Sequence, residues 1–129
     1  MFKSFRVYYL KPLVFLLGAL SFLFGDAKSS DSTFLFCLKS HINPLQISKN
    51  ENSFSIKNNN QLERFLIQNH VIDIEEWIPH ANENDYDGDI YLNRIYRAYI
   101  DIRMQNVSSV ILETENLLIV KYAEKEFIR

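Results

Sequence analysis

VIDIEEWIPHANENDYDGDIYLNRIYRAYIDI, residues 71–102, decides the fold. Two extended runs flank a polar, Gly-containing loop, the pattern of a hairpin. In residues 71–78, Ile72, Ile74 and Ile78 fall on one face, with Glu76 the exception. Val71, Asp73, Glu75 and Trp77 fall on the other. Pro79 ends this run. Residues 90–102 alternate in the same way and read as one long strand. Ile90, Leu92, Tyr96, Ala98, Ile100 and Ile102 share a face, interrupted by Arg94, and Tyr91, Asn93, Ile95, Arg97, Tyr99 and Asp101 share the opposite one.

Working outward, residues 33–39 (TFLFCLK) are apolar on both faces, as a central strand requires. Asn43-Pro44 breaks that strand. Residues 45–57 stay open between two readings. QIS and SFSIK make two short strands about the turn at 49–52, or the segment folds across the sheet. Asn60 is expected to cap a helix carrying Leu62, Phe65 and Leu66 at helical spacing. After the hairpin, Asn106 is expected to cap a second helix with Val107, Val110 and Ile111 on its stripe, and Asn116 to end it in the left-handed conformation. Residues 117–122 (LLIVKY) form the last strand, followed by a tail. The order βαββαβ is that of an α+β, ferredoxin-like fold: one antiparallel sheet with two helices on one face. The other face then carries Asp73, Glu75, Trp77, Tyr91, Ile95 and Tyr99, too apolar for an ordinary solvated surface.

Upstream lies a different kind of sequence. Lys3, Arg6 and Lys11 precede residues 13–24 (LVFLLGALSFLF), an uncharged apolar run, and Gly25-Asp26-Ala27 places small residues at a cleavage site. Residues 1–27 therefore read as a secretory signal peptide, with an uncleaved anchor as the alternative. The run is shorter than the ~20 apolar residues a relaxed membrane span needs. Export to a periplasmic or extracellular location follows, with no stable membrane anchor after cleavage and residues 28–32 as a short linker. The remaining chain has 11 basic and 15 acidic side chains, a formal charge of −4. That balance argues against a nucleic-acid partner. Cys37 is the single cysteine, so no internal disulfide is available, and its apolar surroundings make it a small core residue.

Other constellations read structurally. Asp85, Asp87, Gly88 and Asp89 invite calcium, but the glycine and glutamate spacing of an EF-hand loop is wrong, and a hairpin turn fits better. His41, His70 and His80 are dispersed, and no zinc-ligand spacing occurs. Asn106-Val107-Ser108 matches a glycosylation acceptor but serves better as a helix cap. No cofactor is expected.

The C-terminal third is more specific. A short amphipathic helix followed by LLIVKYAEKEFI resembles the end of the propeptides of subtilisin-like serine proteases, most closely the fervidolysin-like type. Tyr122, Ala123 and Glu124 match the close of that family's last strand, and Lys125 stands where proline is common. The likeness covers residues 33–129. It implies an inhibitor and folding assistant, not an enzyme, whose partner is a subtilisin-like protease domain in cis or in trans. The chain is then either a truncated precursor or a stand-alone prodomain. In such propeptides the open sheet face packs on two protease helices, with acidic residues at the helix N-termini, and Asp73 and Glu75 are the candidates. The tail Tyr122, Ala123, Glu124, Lys125, Glu126, Phe127, Ile128 and Arg129 would lie extended in the substrate cleft, with Phe127 and Ile128 filling pockets. The competing reading is a stand-alone exported ferredoxin-like module that binds a ligand or another protein.

Overall fold

A computed structural model describes residues 28–128 of the chain. The expected signal peptide and Arg129 lie outside the described residues. The chain runs through β1 (Lys28–Leu38), β2 (Ile47–Lys49), β3 (Phe54–Ile56), α1 (Asn60–Gln68), β4 (Val71–Glu76), β5 (Tyr86–Asp87) and β6 (Ile90–Tyr91). A 3-10 turn at Leu92–Arg94 leads into β7 (Ile95–Ile100), α2 (Val107–Glu115) and β8 (Val120–Ile128). The main sheet has the order β4-β7-β1-β8, and its three pairings are all antiparallel. Its four strands and two helices alternate as βαββαβ, so the architecture is α+β and ferredoxin-like.

Phe34, Phe36 and Leu38 from β1 meet Tyr96, Ala98 and Ile100 from β7 and Ile74 from β4 in the principal core. Leu62 and Leu66 of α1 and Val107 and Val110 of α2 close it from the helical side. The β2–β3 hairpin also belongs here: Leu45, Phe54 and Ile56 join this core, so residues 45–57 pack with the helices and do not cross the open face.

Several expectations are corrected. The long third strand is cut in two. The 3-10 turn at Leu92–Arg94 changes the alternation, so Tyr91 sits in the small β5–β6 hairpin while Ile95 begins the main-sheet strand. In β4 a register shift between Val71 and Asp73 turns Ile72 outward, to 55% exposure, and leaves Val71 and Ile74 in the core. The N-cap of α1 is Asn59, whose side chain accepts the Leu62 N–H, and not Asn60. Asn106 caps α2 as expected, accepting the Ser109 N–H. Asn116 stays right-handed at φ −81°, while the left-handed residue after a helix is His70, at φ 65°.

The largest differences are at the two ends of the sheet. Residues 28–32 are no linker: they are the first part of β1. The last strand starts at Val120 rather than Leu117 and runs through most of the expected tail, because β1 extends far enough to pair with it. Lys28 is the register partner of Ile128.

Candidate functional site: the sheet face opposite the helices

The face away from the helices divides into two halves. Toward one end, the excursion between β4 and β7 folds back over it. Cys37, Ile95 and Tyr122, side by side in register, form a second small core with Ile90 and Leu92, and Trp77, Ile78 and Ala81 pack against them. Ile95 is 1% exposed and Tyr122 3%, so both are enclosed by their own chain. Burial pushes the Cys37 thiol up to about 12, with Asp89 adding to the rise, and burial also pushes the Tyr122 hydroxyl upward.

Arg94 fastens this covering segment. Its side chain is 6% exposed. It donates from Nε to the Ile42 carbonyl at 2.8 Å and from Nη2 to Ser40 at 3.2 Å, and it pairs with Glu83. Its guanidinium lies 4.9 Å from the centroid of Tyr91, which stacks on Tyr86 at 5.0 Å. Tyr91 thus serves the hairpin and is not part of the main-sheet face.

The other half is uncovered and polar. Glu75, Arg97, Leu35 and Glu124 stand in one register row across all four strands. Arg97 donates Nη1 to Glu75 Oε2 at 2.7 Å. On its other side, Nε and Nη2 fork onto Glu126 at 2.8 and 2.5 Å. Thr33 donates its hydroxyl to Glu126 Oε1 at 2.9 Å, and Tyr99 donates its own to Glu75 at 2.8 Å. Leu35, in the middle of this row, is 3% exposed. Hydrogen bonds from Arg97 and then Tyr99 hold the Glu75 carboxyl below its ordinary range, and Glu126 followed by Glu75 raises Arg97. Burial, followed by the bond to Glu75, raises Tyr99.

At the β4 edge, Asp73 accepts the Ile74 N–H at 2.9 Å and pairs with Lys49 at 3.2 Å. Trp77 donates its backbone N–H to Ile95, so alternation along β4 sends the Ile74 N–H outward, where the Asp73 side chain occupies it. A carboxylate bonded to the edge N–H limits further strand pairing there.

Of the residues expected to face a partner, the structure brings Asp73, Glu75 and Tyr99 together on the uncovered half. It places Trp77 half-buried over the second core, and withdraws Ile95 and Tyr91. Of the expected tail, Tyr122 and Ala123 are core residues, at 3% and 4% exposure. Glu124, Lys125, Glu126, Phe127 and Ile128 stand in β8, an edge strand, and not in a free extension. Alternation places Arg97 on this face without giving it a role, and nothing local singles out Thr33. Extending the alternation of 120–122 through the tail puts 122, 124 and 126 on one face, which is the signal that would have found the pair to Arg97.

Among the described residues there is no group of three or more His, Cys, Asp or Glu side chains able to hold a metal ion, and no helix is long and apolar enough to cross a membrane. No family model, curated protein or solved structure matches the chain.

Proposed function

We propose that the domain is an exported protein-interaction module that docks through the uncovered half of its sheet, as the prodomain of a subtilisin-like serine protease does, and so inhibits and assists the folding of a protease domain. The observation that supports this reading is the Glu75–Arg97–Glu126 network of ion pairs. Its side chains already hold one another in place, so docking orders few new rotamers. Asp73, Glu75, Glu124 and Glu126 outnumber Arg97 and Lys49, which leaves the face net acidic and suited to the positive ends of a partner's helices.

A second reading has its own observation. Because residues 124–128 complete the domain's own sheet, a module that binds a partner by the face alone, with no peptide in a cleft, uses the structure as it stands.

Both are tested by titrating the chain into a subtilisin-like protease and following hydrolysis of a peptide substrate. Prodomain action predicts progressive slowing at micromolar concentrations, weakened by Glu75→Arg. Binding that leaves hydrolysis untouched selects the second reading. Absence of binding to any protease of this class from the same source removes the first.

A further inference from the structure

The β1–β8 ladder is not continuous. Ser29 pairs with Phe127 and Phe34 with Lys125, so β1 advances five residues while β8 advances two. Glu126 stands in that gap. From Lys125 back to Tyr122 the strands pair residue for residue, while beyond Glu126 only two pairs follow, Ser29 with Phe127 and Lys28 with Ile128. The side chain of Glu126 bridges the interruption: it takes the Thr33 hydroxyl from β1 and the Arg97 fork from β7, reaching over the strand between them. At 13% exposure it is the less exposed member of the ion pair, Arg97 standing at 25%.

We propose that Glu126 is a latch. The end of β8 beyond Lys125 is a strap that opens as a unit when the Arg97–Glu126 contact breaks, while residues 120–125 stay in the sheet. Charge-assisted, forked contacts are among the stronger local ties, and a ladder of two pairs beyond a bulge cannot replace one. The strap carries Phe127, expected to fill a partner's pocket, so the latch decides whether that stretch of chain is presented or kept in the sheet. That use rests on the prodomain reading, whereas the latch itself does not.

Hydrogen exchange on the chain, followed by mass spectrometry, tests it without any partner. Glu126→Gln and Arg97→Met, which removes the tie without touching the measured strand, should each speed exchange at residues 126–128 about tenfold or more. Exchange at residues 33–38 and 120–124 should be unchanged. Unaltered exchange at 126–128 in the Arg97→Met variant overturns the latch. So does equal acceleration along the whole of β8, or general unfolding, since the contact would then hold the sheet and not its end. Protease titration of the same variants separates the two ideas: an opened strap with no inhibition by any form sinks the prodomain reading and leaves the latch intact.

Discussion

The hydroxyl of Tyr96 accepts the backbone N–H of Leu45 at 2.8 Å, tying the sheet to the segment that leads into the β2–β3 hairpin, and donates to the Asn93 carbonyl at 3.2 Å. Tyr96 is 1% exposed and its ring stacks on Phe36 at 5.6 Å. Tyr96→Phe keeps the ring and strands a buried donor. It should cost about 1–3 kcal/mol in urea unfolding, and a loss well under that would mean another acceptor reaches Leu45.

Arg94→Met removes three ties between covering segments at once. Two carbonyls, Ser40 and Ile42, lose their donor, and Glu83 loses its cation. A destabilisation of about 2–4 kcal/mol is expected. Arg94→Lys should recover only part, because a point cation cannot reproduce the planar fork over Tyr91. Equal stability of the lysine variant and the wild type would contradict the geometry.

Alkaline pH should destabilise the fold through groups kept neutral by burial. The Cys37 thiol rises from 9.0 to about 12 and the Tyr96 hydroxyl from 10.0 to about 12. Above pH 9 the unfolded chain surrenders the thiol proton and the folded one keeps it. The native state then binds more protons, and stability falls as pH rises toward 12. Unfolding curves at pH about 8 and about 11 measure this. Cys37→Ala should flatten the decline, and an identical slope would remove Cys37 from the account.

Gly88 occupies φ 63° at the first position of the two-residue loop joining β5 to β6, the left-handed region that hairpin loops reserve for glycine. A Cβ there would meet nothing within 4 Å, so the cost of substitution is backbone strain alone. Gly88→Ala should lose about 1–2 kcal/mol and Gly88→Asn less, as asparagine tolerates this region better. Equal losses for the two, by thermal unfolding, would point to a different cause.

The sequence declared the principal core because Phe34, Phe36, Ile74, Ala98 and Ile100 obey a period of two, and the helices because asparagine caps and apolar stripes are local signals. What it hid was non-local or phase-breaking. The 3-10 turn at Leu92–Arg94 marks the apolar pattern only by Arg94, a single charged residue that alternation passes over, and the shift after Val71 does not mark it at all, so alternation assigns Tyr91 and Ile72 to the wrong surroundings. The pairing of Lys28 and Ser29 with the end of β8 depends on partners about a hundred positions away, and polar residues at both ends read as linker and tail. Hence the acidic half of the face was half legible. Asp73, Glu75 and Tyr99 follow from alternation within a recognised strand, whereas Glu126 follows only once the alternation of 120–122 is carried into the tail, and pairing with the start of β1 is what makes that tail a strand.

The place of β1 in the strand order has a temporal consequence. Its two neighbours are β7 and β8, so Phe36 must wait for Tyr96 and Ala123 before either of its edges is satisfied. A ribosome delivers both partners long after Phe36. The apolar first strand of this domain therefore has no sheet to enter until residues 95–100 and 120–128 have been made, and the transition state for closing the sheet must bring together distant stretches, at a correspondingly slow rate.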